Sequence, residues 1–439
     1  MALGHALQLG NGNLAEGALS WLTLALGLAA LGLVVPRPVE VERAAGRLLP
    51  YALGLGIIWL SEQWMTRTPT YRTAWHEGWV LPVIAATVVA SSGLSRRPLL
   101  GRVTGPAIAL LYALAGAWML RHTPFPNIDV FVFQREGTAG LLRGENPYTL
   151  TFPDIYGASS PFFYGPGVSV NGRLQFGFLY PPLSLFMALP GYLLQGDFRY
   201  SQLLANAVAG GLMAFAQPAG SPSGRRELGA AAAFLYLFTP RSLFLLEQGW
   251  SEPFVVLLLS ATVFVALRRP AVLPWIFGLF ACVKQYLFWA LPLSWLLGWG
   301  GRRWTGFWGR AVAVGAAVSL PLALWSPRAF WNSVVALQWK QPFRPDSLSY
   351  WAGRVVAGMS PLSTGWAFGA GAIAVVVALW RAPRNGAGFA ASLGLVLTAF
   401  FAFNKQAFCN YYSAALGALC VAVAAGREWP PSTPQSEAR

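Results

Sequence analysis

Apolar runs recur along most of the chain, and they constrain its fold more than any other feature. A helix needs about 20 predominantly apolar residues to cross a bilayer, and many of the runs approach that length. With 55% hydrophobic and only 11% charged residues, the chain lacks the polar surface to cover a soluble globule. The sequence therefore predicts an all-α polytopic membrane protein. The runs lie near residues 18–35, 48–61, 79–95, 103–120, 200–217, 228–245, 252–268, 271–283, 285–300, 307–325, 364–380, 387–403 and 408–424.

These runs predict a bundle of about 11–13 transmembrane helices. The run at 271–283 is too short to cross at full thickness, so it is either broken or shares a crossing with its neighbour. The order of the runs divides the chain into N-terminal transmembrane helices at 1–102 and a larger transmembrane domain at 103–425. Residues 426–439 are predicted to form a disordered cytoplasmic tail.

The distribution of arginine predicts the orientation. Basic residues follow the first run at 36–47, which places that loop inside by the positive-inside rule. The alternation then leaves 121–199 and 326–352 as outer loops, the first carrying short amphipathic helices. One of these, at 179–194, begins at a Tyr-Pro-Pro turn and is predicted to be re-entrant or interfacial.

The same arginines account for the formal net charge of +15, so no nucleic-acid partner is expected. The bilayer is the expected surrounding, and a multi-pass location in a bacterial plasma (inner) membrane is predicted from the arginine bias and the absence of other targeting signals. The chain has no glycine-rich phosphate loop, histidine cluster or Gly-x-Ser-x-Gly elbow, which argues against a nucleotide-driven pump or a serine hydrolase. Cys282, Cys409 and Cys420 are predicted to be buried thiols.

Asp129 is the first candidate for chemistry. It follows two prolines at the outer boundary of the 103–120 run and stands between Ile128 and Val130. Partial desolvation raises the pKa of such a carboxyl group and suits it to accept a proton near neutral pH. The alternative is a structural role as the N-cap of the helix that begins there.

A second polar group lies at 239–254, where Arg241, Glu247, Gln248 and Glu252 join two apolar runs. Glu247 and Glu252 can bind hydroxyl groups, or one of them can pair with Arg241 in a structural ion pair. The residues alone leave both alternatives open.

The three lysines form the third group. Lys284, Lys340 and Lys405 are the only lysines in the chain, and each is followed by glutamine. Lysine is a point charge with three donors, which suits a phosphate, and the neighbouring amide can bind a hydroxyl or ester oxygen. Snorkelling to the membrane interface is the alternative for the lysines. It does not explain the repeated pairing with glutamine.

The order of several motifs resembles that of the multi-spanning GT-C glycosyltransferases, in particular glycosyltransferase family 87. These motifs are "IDVFVFQREGTAGLLRGENPYTL", then "FGFLYPPLSLFMALP", "EQGWSEPFVVLLLS" and "GLFACVKQYLFWALPL". The resemblance covers residues from about 100 to 420. The chain departs from the family pattern in placing about three runs before the Asp-bearing loop, where one is usual, and in having glutamine before glycine in "EQG".

This resemblance implies a GT-C-like bundle and a transferase whose site faces outward. A sugar, mannose or another hexose or pentose, would pass with inversion from a polyprenyl-phosphate donor to a lipid, glycan or protein hydroxyl. Asp129 would be the general base. The donor phosphate would lie near Lys284 and Lys405, and near Lys340 or Arg241. Substrate hydroxyl groups would meet Glu247, Gln248, Glu252, Gln285, Gln406 and Tyr180.

Three alternatives remain open at this point. A divalent metal can be held through water by Asp129 with Glu247 or Glu252, and no other cofactor is expected. A flippase or transporter of lipid-linked sugars would use the same charges without chemistry, although the chain shows no convincing internal repeat. A non-catalytic membrane scaffold or receptor would leave the lysines at membrane depth unexplained.

Overall fold

The structure, a computed structural model, describes residues 1–35, most of 51–63, 77–93, 100–217, 223–298 and 302–426. Within these ranges the chain is mainly helical, and its sheet is a single two-stranded hairpin. The predicted all-α class is confirmed at this level. The predicted inner loop at 36–47 and all but the first residue of the predicted tail at 426–439 lie outside the described residues.

The helices are numbered here in chain order. The first ten are α1 (Ala2–Gly10), α2 (Ala18–Val34), α3 (Glu77–Gly93), α4 (Leu100–His122), α5 (Asp129–Leu142), α6 (Ser160–Tyr164), α7 (Leu183–Gln195), α8 (Arg199–Ala214), α9 (Ser223–Leu237) and α10 (Arg241–Gln248). The others are α11 (Glu252–Arg268), α12 (Leu273–Ala281), α13 (Ala290–Leu293), α14 (Arg302–Trp325), α15 (Pro327–Trp331), α16 (Leu337–Lys340), α17 (Tyr350–Val356), α18 (Gly365–Arg381), α19 (Gly386–Ala402) and α20 (Cys409–Ala425). The strands are β1 (Ser169–Val170) and β2 (Arg173–Leu174).

Shorter helical turns connect these elements. They are 3₁₀ helices at Gly157–Ser159, Pro270–Val272, Gln285–Trp289 and Ser294–Leu297, and a π-helix at Asn332–Ala336.

Two described helical segments are long and apolar enough to cross a membrane. They are Val103–His122 and Trp304–Trp325, and the pair Leu228–Leu237 and Arg241–Gln248, bent by 52°, makes a third if it counts as one span. Six shorter apolar helices accompany them. The presence of membrane-spanning helices is supported at this level, while the count of about 11–13 and the GT-C-like arrangement stay predictions.

The short run at 271–283 forms one short apolar helical segment, Pro270–Ala281, and the helix breaks after it, before the neighbouring run begins. A crossing shared with that neighbour stays a prediction. Helix α12 ends at Ala281, and Lys284 adopts an extended backbone with φ −150° and ψ 142° before the next 3₁₀ turn. The break brings Lys284 and Gln285 out of the regular helical pattern. Their side chains can therefore turn toward neighbouring loops.

The apolar residues form two buried clusters. The larger one joins the long helices, including α1 and α2, which pack against α20 and α19 respectively. The smaller one lies under the 121–199 segment and includes Phe133, Tyr148 and Phe178, closed by Leu322 and Val334 from the segment after residue 302. The 121–199 segment is thus packed on a core of its own, which fixes the loops that carry candidate residues.

Two of the motifs that carry the family resemblance meet in this smaller core. The Tyr148 hydroxyl donates to the carbonyl of Tyr180 at 2.8 Å, and the Phe178 amide donates to the carbonyl of Pro147 at 3.0 Å. Gly177 is required at this crossing, because a Cβ there would lie 2.0 Å from the Tyr148 carbonyl oxygen. Helix α7 then begins directly after Pro182, as the Tyr-Pro-Pro turn predicts.

Candidate functional site

A cavity of about 1080 Å³ lies where the 121–199 segment, the Lys284 break and the loops before α17 and α20 meet. This volume is at the upper end of the range for small-molecule sites, about 300–1,000 Å³. Seven of the predicted site residues line it: Asp129, Tyr180, Gln248, Lys284, Gln285, Lys405 and Gln406. Residues far apart in the sequence therefore share one space.

Asp129 is the first residue of α5, directly after Ile128, whose extended backbone occupies the N-cap position. The alternative that Asp129 is itself the N-cap is therefore wrong. Its Oδ1 accepts a hydrogen bond from the Val130 amide at 2.7 Å, which still leaves Oδ2 for another partner. A carboxylate in the first turn is also favoured by the helix dipole.

Tyr156, Tyr164 and Arg344 surround the Asp129 carboxylate. Burial is the largest influence and raises the pKa of Asp129 above its ordinary value, while the Val130 amide, Tyr164, Arg344 and Tyr156 oppose the rise. The Tyr164 hydroxyl lowers the pKa of the Asp129 carboxyl group, although its geometry does not meet the criteria of a hydrogen bond to any described residue. No described basic side chain forms a salt bridge with Asp129. Its raised pKa is typical of a functional carboxylate.

Lys284 is closed into an ion pair. Its ammonium lies 3.2 Å from Glu252 Oε1 and donates to Ser251 Oγ at 2.7 Å, and it stands 3.8 Å from the centre of the Tyr180 ring. Both charged side chains are buried, with exposed fractions of 3% for Lys284 and 0% for Glu252. The predicted role of Lys284 as a free phosphate ligand is not favoured by this arrangement, because Glu252 already neutralises it.

Lys405 has a different environment. Its ammonium donates to two backbone carbonyls, those of Trp339 at 3.1 Å and Gln341 at 2.6 Å. No described carboxylate pairs with it, and it is only partly buried. Burial lowers the pKa of Lys405. An ammonium with a remaining donor and no counter-ion suits an anionic ligand group.

The glutamines that follow these lysines act as ties between segments. Gln285 donates to the Leu179 carbonyl at 2.5 Å, and Gln406 donates to the Pro342 carbonyl at 2.8 Å and the Gln341 side chain at 3.3 Å. The repeated Lys-Gln pair therefore has a structural explanation in two of its three occurrences. The amide of each glutamine is used by the protein rather than held open for substrate.

Four predicted site residues lie outside the cavity lining. Lys340 is exposed at the end of α16. Arg241 and Glu247 belong to α10, a helix that is buried throughout. Arg241 borders a separate small cavity and stacks on Phe244 at 5.4 Å, and the Glu247 carbonyl accepts from buried Arg199 at 3.0 Å. Glu252 contacts the lining through Lys284, through Asn410, which donates to Glu252 Oε1 at 3.2 Å, and through Tyr286, whose hydroxyl donates to the same oxygen at 3.4 Å.

Arg344 is a cavity residue that the sequence reasoning did not single out. It makes a two-point ion pair with Asp346, at 2.8 Å and 2.6 Å, and its guanidinium lies 4.5 Å from the ring centres of both Phe162 and Phe163. The Arg344 backbone amide donates to the Lys405 carbonyl at 3.0 Å, so the two chain segments that carry these cations lie side by side. An arginine in a predicted outer loop, where the positive-inside rule expects few, was the available signal.

Tyr156 and Tyr164 were also missed, as were Asn11 and Asn13 from the N-terminal segment. The tyrosines stand in an aromatic cluster in which Tyr156 stacks on Phe163 at 3.8 Å. Burial is the largest cause that raises the pKa of Tyr156 and of Tyr164, followed by the charge of Asp129. Both are therefore neutral hydroxyl donors.

The described residues do not fit a metal site. No group of three His, Cys, Asp or Glu side chains among them gathers within reach of one ion. Glu252 is neutralised by Lys284 and Glu247 lies outside the lining, so the predicted water-bridged pairing with Asp129 lacks partners there. We derive no step through a metal.

Comparison with known proteins returned no match among family models, curated proteins or solved structures.

Proposed function

We propose that this chain is a membrane glycosyltransferase that moves a sugar from a polyprenyl-phosphate donor to a hydroxyl acceptor, with inversion. The observation that carries the proposal is the charge pattern of the cavity. Lys284 is paired with Glu252 and Arg344 with Asp346, which leaves Asp129 and Lys405 as the described lining charges outside an ion pair. A base and a separate cation are what displacement of a sugar from phosphate requires.

In the proposed reaction Asp129 accepts the proton of the acceptor hydroxyl as its oxygen attacks the anomeric carbon. The bond between that carbon and the phosphate oxygen breaks, and its electron pair leaves with the phosphate. The ammonium of Lys405 stabilises the charge on the departing group. Attack and departure on opposite faces of the sugar invert the anomeric centre. Burial raises the pKa of Asp129 above its ordinary value, which makes the carboxylate a stronger proton acceptor.

The remaining wall supports a sugar ligand. Carboxamides recur around the cavity, among them Asn127, Gln248 and Gln338. They can donate to and accept from hydroxyl groups at once. Tyr180 and Trp250 add ring surface on the same wall. In this arrangement Lys284 is a positioning residue, since it holds Glu252 and lies against the Tyr180 ring.

We include in this proposal four further features that the sequence analysis predicted. They are a GT-C-like polytopic bundle, a site on the outer face, a bacterial plasma membrane and a lipid, glycan or protein acceptor. The described helices of membrane-spanning length are compatible with the first. A flippase or transporter of lipid-linked sugars is the competing function, and it needs no proton acceptor.

The decisive experiment measures sugar transfer by the purified protein in nanodiscs, with radiolabelled decaprenyl-phosphate mannose and a lipid extract. The native chain is compared with Asp129→Asn, and Asp154→Asn serves as the control because Asp154 belongs to the same outer segment but does not line the cavity. We expect Asp129→Asn to lower the rate by about 10²–10⁴-fold and the control to retain it. Full activity in Asp129→Asn would remove the enzymatic proposal, and native binding without transfer would favour a carrier.

A further inference from the structure

The N-terminal turn at residues 10–14 borders the cavity through Asn11 and Asn13, although no sequence motif marked it. Helix α1 ends at Gly10, and Asn11 and Gly12 then take left-handed backbones with φ of 55° and 80°. The Asn13 amide donates back to the Gly10 carbonyl at 2.8 Å. This tight reversal points the chain along the cavity, and Asn11 and Asn13 both belong to its lining.

The turn is fixed to two segments that carry site residues. The Leu14 amide donates to the Asp346 carbonyl at 2.8 Å, and Asn13 forms an antiparallel bridge with Ser347. On its other side Gly12 packs so closely on the start of α20 that a Cβ would lie 2.2 Å from the Cys409 backbone nitrogen. The position of the turn is therefore fixed by backbone contacts on both sides, and a side chain at residue 12 would displace it.

The turn and the proposed general base border the same cavity, whose lining includes Asn11, Asn13 and Asp129. The segment that binds Leu14 also carries Arg344, whose charge acts on Asp129. A ligand that touches the turn and Asp129 together is the acceptor, since the base must reach the acceptor hydroxyl.

The carboxamides of Asn11 and Asn13 have capacity for such a ligand. Neither side chain makes a hydrogen bond to another described residue, whereas Gln285, Gln406 and Asn410 use theirs on the protein. Each free carboxamide offers two donors and an acceptor. The residues of the turn carry no charge, so a neutral polyol fits better than a charged peptide or phosphate.

We propose that Asn11 and Asn13 form a hydroxyl-recognition site for a neutral polyhydroxylated acceptor, a glycan or glycolipid head group. The assignment of the bound molecule as acceptor rests on the proposed function. The site makes the N-terminal turn a determinant of specificity: it selects an acceptor that carries further hydroxyl groups beside the reacting one.

The variants are chosen to remove the carboxamides and keep the turn. Asn11→Gly preserves the left-handed backbone, because glycine adopts it freely. Asn13→Ala preserves the bridge to Ser347, which uses backbone atoms. Asn332→Ala is the matched control, because Asn332 is an exposed asparagine outside the cavity lining. Asn13→Gln tests rescue by a longer carboxamide.

Transfer from decaprenyl-phosphate mannose is measured to octyl α-mannoside and to n-octanol, which share a chain but differ in hydroxyl number. We expect the double variant Asn11→Gly/Asn13→Ala to raise the KM for octyl mannoside about ten-fold or more, because two hydrogen bonds are lost, with little change for octanol. Asn332→Ala should match the native chain. An unchanged KM for the mannoside, or an equal rise for both acceptors, would overturn the site.

A binding measurement separates this inference from the proposed function. If the native chain transfers nothing, the transferase proposal fails for this donor, and octyl α-mannoside binding is then followed by calorimetry, with octanol as the reference. Binding by the native chain that weakens about ten-fold in the double variant supports the hydroxyl site. No binding by the native chain, or equal binding by both, removes it.

Discussion

Lys284 and Lys405 line one cavity, and each precedes a glutamine, yet the protein surrounds them differently. Lys284 is buried against Glu252, Ser251 and the Tyr180 ring. Lys405 is partly exposed and touches only backbone carbonyls among the described residues. The same dipeptide therefore supplies a neutralised internal pair in one place and an available cation in the other. The spatial partners of each lysine, and not the glutamine that follows it, decide whether its charge is available to a ligand.

The largest expected effect comes from breaking the Lys284 pair. Lys284→Ala leaves Glu252 buried without its cation, which we expect to lower the free energy of unfolding by about 3–5 kcal/mol. The double variant Lys284→Met/Glu252→Gln should recover part of this loss, since no buried charge remains. Thermal unfolding in detergent measures both. Equal destabilisation by Lys284→Ala and Lys405→Ala would erase the distinction between the two lysines.

Removal of Lys405 should act on binding instead. Lys405→Ala is expected to raise the KM for decaprenyl-phosphate mannose by about 10- to 100-fold, because a hydrogen bond to a charged group contributes about 1.5–3 kcal/mol. Stability should change little. Lys405→Arg is the control that keeps the charge. A native KM in Lys405→Ala, measured under initial-rate conditions, would contradict its role as the phosphate ligand.

The pH profile of the transfer reaction tests Asp129, which like Lys405 is outside any described ion pair. Burial raises the pKa of Asp129 above its ordinary value of 3.8, and the base works only when deprotonated. The acid limb of kcat/KM should therefore lie above the range of an ordinary aspartate, with activity lost as the pH falls through it. An acid limb near the ordinary value would contradict a desolvated base.

The same shift has a consequence for stability with the opposite dependence on pH. The folded chain holds the Asp129 proton to a higher pH than the unfolded chain, so stability falls as the pH rises through that window. Asp129→Asn should therefore unfold at a higher temperature than the native chain above the raised pKa. The difference should disappear below the ordinary pKa, where both states are protonated.

The smallest effect is expected at the third lysine. Lys340→Ala should leave transfer and stability within about 0.5 kcal/mol of the native chain, because an exposed substitution away from the cavity rarely does more. It is the matched control for both other lysines, since it shares their Lys-Gln sequence. A loss of donor affinity in this variant would mean that the exposed ammonium reaches the ligand.

Several features of the fold could be predicted from local sequence. The apolar runs indicated helices, and the proline turn at 180–182 indicated the start of α7. Each depends on residues within about one helix length, where period, proline and hydropathy act directly. The same reasoning located Asp129 and two of the three lysines beside the cavity.

The grouping of the charges could not be predicted in this way. Glu252 lies 32 positions from Lys284 in the sequence and forms an ion pair with it. Arg241, which is close to Glu252 in the sequence, lies in the buried helix α10. Arg344, Tyr156 and Asn11 joined the cavity from three separate segments. No local pattern marks such a meeting, because it depends on how loops pack over the smaller core.

The sequence by itself determined that the chain is helical and apolar, where its helices break and which residue types are available at those breaks. Only the tertiary structure decided which of these residues meet. The physical reason is range: helix formation and membrane partitioning depend on neighbouring residues, whereas an ion pair or a cavity is set by contacts across the whole fold. Lys284 and Lys405 are both followed by glutamine, and the carboxylate of Glu252, distant in the sequence, pairs only with Lys284 of the two.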